Sequence, residues 1–188
     1  IKKLIEVMTG ILQDKLYIEQ LNEAISLSEK TETGKYAPFF SLSNIKGEKI
    51  TRSSEDFKKK NLLINFWALW GDSISNHQSN TELKEIYQKY KKNKHIAMLG
   101  ISLDMDKQEW QDAIKRDTLN WEQVCDFGGL NSEVAKQYAI KQVPSNILLS
   151  ADGKILAKNL KGEQLKKKIE EVVTAAEEKE KQDNKKKK

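Results

Sequence analysis

Residues 61–70 read NLLINFWALW and residues 96–103 read IAMLGISL. In the first string Leu62, Leu63, Ile64, Phe66 and Trp67 form a nearly continuous apolar run of strand length, the pattern of a strand covered on both faces. Between the two strings, Leu83, Ile86, Tyr87 and Tyr90 recur at helical spacing. Strand, helix, strand in that order predicts a parallel pair joined by a right-handed crossover, and so an α/β class with these two strands inside a sheet.

Upstream, residues 39–51 read FFSLSNIKGEKIT, alternating apolar and polar around Lys46-Gly47, which predicts a hairpin. Residues Ser53 to Lys60 then read as a short helix. Downstream, Trp110, Ala113 and Ile114 mark one helix, and Val134, Ala135 and Tyr138 another. A short buried strand is expected after Trp121, ending near Val124 and Cys125. After Pro144, NILLS, the turn Ala151-Asp152-Gly153 and KILAKNL read as an antiparallel hairpin. Leu165, Ile169, Val172 and Val173 define a final helix. At the start, Leu4, Ile5, Met8, Ile11, Leu12, Ile18, Leu21 and Ile25 lie at helical spacing, with Gly10 as a weak point. This face must pack on the following domain or on something that precedes it, and Thr31 to Lys35 read as a linker. The chain is expected to divide into a helical extension (1–33), one α/β domain (34–174) and a charged tail (175–188).

The 188 residues hold 33 Lys+Arg and 28 Asp+Glu, a net charge of +5, with 38% hydrophobic and 32% charged residues, which suits one core and leaves little for a second domain. No apolar run approaches the roughly 18 residues a membrane span needs, so no transmembrane segment is expected. The first residue is Ile, and no basic start with an apolar stretch and cleavage site follows, so the beginning gives no targeting signal. The three pieces carry −2, +5 and +2. Residues 175–188, AAEEKEKQDNKKKK, lack any large apolar residue and are expected to fray. The four terminal lysines could meet phosphate, yet the chain has only two Arg and no accompanying aromatic surface, so a solvated tail is the reading and nucleic acid is not an expected partner. The one cysteine, Cys125, excludes an internal disulfide, a four-cysteine zinc site and intramolecular dithiol chemistry.

The order of elements, the run LLINFWALW leading into a helix, the string ISLDMDKQEW, and the segment WEQVCDFGGLNSEVAKQYAIKQVPSNILLSADGKILAKNL resemble the TlpA/ResA-like, AhpC/TSA-related thiol-disulfide oxidoreductases of the Bacteroidetes type. The similarity runs from about Gly34 to Val173. It implies a thioredoxin-like fold, a central mixed sheet flanked by helices, here with an N-terminal helical extension. It implies no cofactor. It also implies a location in the cell envelope, outside the cytoplasm.

In that family the phrase matching Phe66-Trp67-Ala68-Leu69-Trp70 is followed by Cys-X-X-Cys at the amino end of the next helix. Here the four positions are Gly71, Asp72, Ser73 and Ile74, and a shift by one gives Asp72 and Ser75. Exchange needs one thiolate to attack a disulfide sulfur and a second thiol to resolve the mixed disulfide. A serine hydroxyl can do neither, so no dithiol reductase or isomerase activity is expected. The resemblance further implies that the Val143-Pro144 bond is cis and faces the vacant motif, where the backbone before the proline pairs with an extended peptide. Trp70, Val143, Pro144 and Ser145 are therefore the candidate binding residues for a peptide or protein partner.

Cys125 is the alternative reactive atom, as a peroxidase-type thiol or one served by an external thiol. Asp126 beside it disfavours a thiolate, and the buried strand around it favours an inert role. Asp72, Ser73, Ser75, Asn76 and His77 include hydrolase residue types, but consecutive residues do not converge into a triad. Capping explains them instead, by a Ser75–Gln78 box or by Asp72 with Ser75. His77 and His95 have no ligand partners at metal spacing, and no metal is expected. Asp104, Met105, Asp106, Asp152 and Gly153 read as loop and turn residues. Trp67, Trp110 and Trp121 read as core, and Trp70 as exposed. Three functions follow: a catalytically silent module that binds a peptide or serves as an appendage in a larger envelope protein, an enzyme acting through Cys125, or an electrostatic adaptor acting through the lysine tail.

Overall fold

The computed structural model describes residues 15–70 and 73–186, with backbone alone for Lys15, Tyr17 and residues 73–78. Helix α1 spans Lys15–Lys30. Strands β1 (Ser41–Asn44) and β2 (Lys49–Thr51) form the expected hairpin, with Gly47 at φ 84° in the turn, a conformation glycine adopts without steric cost. Then follow β3 (Asn61–Trp67), α2 (Ser73–Tyr90), β4 (Ile96–Ser102), α3 (Lys107–Arg116), β5 (Glu122–Cys125) and a 3-10 turn at Gly129–Asn131. Helix α4 (Glu133–Gln137), β6 (Ser145–Leu149), β7 (Ile155–Lys158) and α5 (Gly162–Lys186) complete the order.

The seven strands make one mixed sheet in the order β2-β1-β5-β4-β3-β6-β7. Strand β3 is parallel to β4 and antiparallel to β6, and β4 is parallel to β5. All seven β3 residues are buried, because both faces of the sheet are covered. Leu62, Ile64 and Phe66 face Phe40, Tyr138 and Val134, while Leu63 and Trp67 face Leu83 and Ile86 of α2, Trp110 of α3, and Leu165, Ile169 and Val173 of α5. Each such side chain contributes about 1.5–3 kcal/mol by leaving water, which is why an apolar run without alternation becomes the central strand. Trp67, Trp110 and Trp121 are core residues, as expected. The thioredoxin-like architecture is the observed one.

Three local expectations are corrected. Ser53 to Lys60 is a succession of turns, not a helix. The Arg52 guanidinium donates to the carbonyls of Phe57 (2.6 Å), Lys60 (2.8 Å), Ala151 (2.9 Å) and Ser150 (3.3 Å) and so pins the turns in place, with the Phe57 oxygen also accepting from the Lys60 amide at 3.1 Å. The Thr31–Lys35 linker is stitched down: Thr31 is fully buried, Gly34 donates to the Ile155 carbonyl, and Ile155 donates back to Lys35. Finally, α5 does not fray after Val173 but continues to Lys186. Glu177 accepts from Asn93 at 3.2 Å, and Glu180 takes Lys94 at 2.6 Å and His95 at 3.2 Å, so contacts to the α2–β4 turn supply what apolar burial does not.

The apolar positions from Leu4 to Leu12 lie outside the described residues. Among those described, no helix is long and apolar enough to cross a membrane.

Candidate functional site at the carboxyl ends of the central strands

The chain leaves β3 at Trp67, and three hydrogen bonds fix its path toward the motif. Leu103 donates its amide to the Trp67 carbonyl at 2.8 Å. The Leu69 amide donates to Asp104 Oδ1 at 2.7 Å, and the Trp70 indole donates to the Leu103 carbonyl at 3.1 Å. Trp70, 48% exposed, thus leans over the loop that follows β4. That loop lies on the opposite side of β3 from Pro144.

Asp104 is the residue that sequence reasoning undervalued. Its carboxyl is 3% exposed and also accepts from the Ser102 hydroxyl at 2.8 Å. Burial pushes its pKa above the usual carboxylate range, against the opposing pull of the Leu69 amide and the Ser102 hydroxyl. An Asp two residues after a serine at the end of a buried strand was the available signal. Asp106, two residues further, caps α3 by accepting from the Glu109 amide at 2.8 Å.

Gly71 and Asp72 lie outside the described residues, and only backbone is described for Ser73 and Ile74. Helix α2 is already under way at Ser73, so Ser75 stands inside it and cannot be its N-cap, which removes the Ser75–Gln78 box. The Asp72 alternative falls on an undescribed residue. His77 belongs to the stretch without described side chains, and His95 pairs with Glu180. Among the described residues no three His, Cys, Asp or Glu side chains converge as a metal site would require.

The Val143-Pro144 bond is cis. Among the described residues nothing hydrogen-bonds the Val143 backbone amide or carbonyl. On one side of this segment lies a groove of about 510 Å³, walled by Thr81, Glu82 and Glu85 of α2 and by Leu165 and Lys166 of α5, with Pro144 and Asn146 at its base. A Lys166–Glu85 ion pair of 2.8 Å joins the two helices there. Ser145, by strand alternation, faces the other way: it is 8% exposed, its hydroxyl donates to Asn159 Oδ1, and it sits toward α1. The four sequence-chosen binding residues therefore occupy three places. Pro144 lines the groove, Ser145 lies behind it, Val143 packs its side chain against the core on that same rear face, and Trp70 stands over the β4 loop.

Cys125 closes β5 beneath that loop. Its thiol lies 3.5 Å from the Asp104 carbonyl, which it faces as donor, and accepts from the Phe127 amide at 3.3 Å. It is 2% exposed, and burial, opposed by the Phe127 amide and the Ser102 hydroxyl, pushes its pKa up to about 11. Cys125 pairs with Ser102, Ser102 with Trp67, and Phe66 with Ser145, so Cys125 and Pro144 are three strand spacings apart, about 14 Å at ~4.8 Å each. Two further groups stabilise this end of the sheet. The Trp67 indole donates to Gln123 Oε1 at 3.1 Å, and Gly100 leaves room for that side chain, since a Cβ there would stand 1.9 Å from Gln123 Oε1.

Comparison with known proteins agrees with this geometry. The family described as Thioredoxin-like matches residues 58–155. A thiol-disulfide oxidoreductase ResA of Bacillus cereus is 32% identical over 146 residues, 78% of this chain and 79% of that protein. A solved C-terminal domain from a Bacteroides thetaiotaomicron protein is 77% identical, with TM-score 0.76 over 78% of this chain and 99% of that one. A solved thiol-disulfide oxidoreductase from Bacteroides fragilis is 58% identical, with TM-score 0.71 over 73% and 99%.

Proposed function

The chain belongs to the thioredoxin-like family of thiol-disulfide oxidoreductases, and from that premise we propose that it is a member without dithiol activity, in which the groove beside Pro144 binds an extended peptide or partner segment. The observation that carries this is the sulfur inventory. The chain has one cysteine, it is not at residues 71–74, and it lies about 14 Å across the sheet from Pro144. Dithiol reduction of a substrate disulfide takes two electrons from two thiols of the protein, which end as an intramolecular disulfide while the substrate leaves as two thiols. One thiol cannot close that cycle.

What remains of the family site is a backbone. The Val143 amide and carbonyl, without a hydrogen-bond partner among the described residues, can add a strand of partner peptide by main-chain hydrogen bonds, with alternate side chains entering the groove between α2 and α5. Affinity in this mode comes from backbone pairing and specificity from the groove wall. The unit of function is the 34–174 domain with its helical extension, placed outside the cytoplasm in the cell envelope as part of a larger assembly.

The Cys125 reading is less well supported. At a pKa of about 11 the thiolate is about one part in 10⁴ at pH 7, and the sulfur is 2% exposed. The decisive test is a pair of assays. Wild-type protein and Cys125→Ser are expected to give no insulin reduction above background, and Gly71→Cys with Ile74→Cys to restore it. Turnover by wild type that disappears in Cys125→Ser would overturn the proposal.

A further inference from the structure

Behind β6, on the side opposite the groove, lies a recess of about 410 Å³ roofed by α1. Leu21, Ala24 and Ile25 of α1, with Ala139, make an apolar part of its wall, Lys141, Lys158, Gln142 and Asn159 supply donors, and Ser28 and Ser145 add hydroxyls; among the described residues no acidic side chain lines it. Lys158 enters from β7, half-buried, on the face of its cross-strand partner Ile147.

The Lys158 ammonium donates to Thr31 Oγ1 at 3.0 Å, and among the described residues no carboxylate lies within ion-pair distance of it. An ammonium carries three N–H donors, and burying it without a counter-charge is costly. Burial pushes its pKa down, with Glu32 opposing at longer range. The Asn159 side chain is oriented beside it: its Oδ1 accepts from the Ser145 hydroxyl, and its backbone amide donates to Asn146. Asn159 adopts φ 55°, a conformation that places it at the recess and that asparagine tolerates better than most residues.

We propose that this recess is a binding site for a small organic acid, a carboxylate carried on an apolar body. The carboxylate sits between Lys158 and Lys141, and the body lies on Leu21, Ala24 and Ile25. A neutral ligand leaves the Lys158 charge uncompensated. Inorganic phosphate leaves the apolar wall in contact with water. Only a ligand with both parts satisfies the recess. The site stands on the rear face of β6 and does not depend on the peptide groove.

Isothermal titration of the full chain with 4-phenylbutyrate tests this, with 4-phenylbutanol and inorganic phosphate as comparison probes. Saturable binding of one phenylbutyrate per chain is expected, at least tenfold tighter than either comparison probe. Lys158→Met is expected to weaken it about tenfold or more, in line with loss of a charge-assisted hydrogen bond. Because Lys158→Met also removes the Thr31 contact that ties β7 to the end of α1, Lys141→Met provides an independent arm: that side chain is exposed and its loss leaves the fold intact. The same order of weakening is expected, with amide shifts on ligand addition confined to α1, residues 139–145 and residues 158–159. Equal affinity for phenylbutyrate and phenylbutanol, equal affinity in wild type and Lys141→Met, or no binding at millimolar ligand overturns the proposal.

Discussion

Alkylation of Cys125 in the folded protein measures directly how far the remaining thiol is from reactivity. The thiol is 2% exposed and its pKa is raised to about 11 by burial. Against an ordinary cysteine near 8.5, the thiolate population at pH 7 falls about 300-fold, from about three in a hundred to about one in 10⁴. Reagent must also reach the sulfur, which lies in the same buried cluster as Trp67 and Trp110. If access requires opening of β5, the reactive population is bounded by the opening free energy, and about 5 kcal/mol or more gives about 10⁻⁴ again. Both routes predict at least a 300-fold deficit against a short cysteine peptide with iodoacetamide at pH 7, erased in urea. The sign of the pH effect follows. The folded thiol keeps its proton to about pH 11 while the unfolded one releases it near 8.5, so the stability due to the neutral buried thiol is complete below about 8.5 and is lost as pH rises toward 11. Cys125→Ala lacks that component, and the difference between the two denaturation profiles isolates it from other titrations. A native rate within tenfold of the peptide refutes the argument, because a thiol that ionises and meets reagent so readily is not the buried one described.

Three further outcomes concern the frame of the site. Arg52→Met removes four guanidinium hydrogen bonds, leaving the Lys60 and Ala151 carbonyls without a donor among the described residues while Phe57 and Ser150 keep the Lys60 and Gly153 amides, and is expected to cost about 3 kcal/mol, a fall in Tm of roughly 6–12 °C; a fall under about 2 °C means that water replaces the guanidinium without loss. Asp104→Ala leaves the Leu69 amide and the Ser102 hydroxyl proton without their acceptor and is expected to cost about 2–3 kcal/mol, with a red shift of Trp70 fluorescence. Asp104→Asn keeps an acceptor and sheds a desolvated charge, so its stability is expected within about 1 kcal/mol of wild type at pH 7. Because the folded carboxyl binds its proton more tightly than the unfolded one, the wild-type deficit from that charge shrinks as pH falls through the raised value; a urea-denaturation series in which the deficit grows on acidification contradicts this. Gly100→Ala drives a Cβ into Gln123 and is expected to destabilise by about 1–3 kcal/mol, with Gln123→Ala largely relieving it in a double-mutant cycle; additive losses refute the clash.

What the sequence disclosed and what it concealed divide by the reach of the interaction involved. The buried runs at 61–67 and 96–102, the hairpin at Lys46-Gly47 and the missing thiols at 71–74 are local or compositional, and they are legible residue by residue. The turns at 53–60 are not legible locally, because Arg52 binds carbonyls both eight and 99 residues away, and no local propensity encodes the second. The helical course of α5 past Val173 depends on contacts 84 to 86 residues distant, from Asn93 and Lys94 to Glu177 and Glu180. Asp104 passed as a loop residue because its role is defined by an amide 35 positions earlier.

The candidate binding residues are divided among three places for a different reason, and its signal is present in the sequence. Strand alternation applied to 144–146 places Pro144 and Asn146 on one face and Ser145 on the other, so one β strand addresses two separate cavities. A position next to a functional proline in sequence is thus its opposite in space, and residues taken from a family motif as one contiguous string inherit that error. The same parity has a consequence for how the chain can change. The groove lies on the α2 and α5 face, whereas Lys158, Ser145 and α1 lie on the other, with the buried sheet between them. Change on the groove face therefore leaves the side chains of the other face free to keep or acquire a ligand of their own.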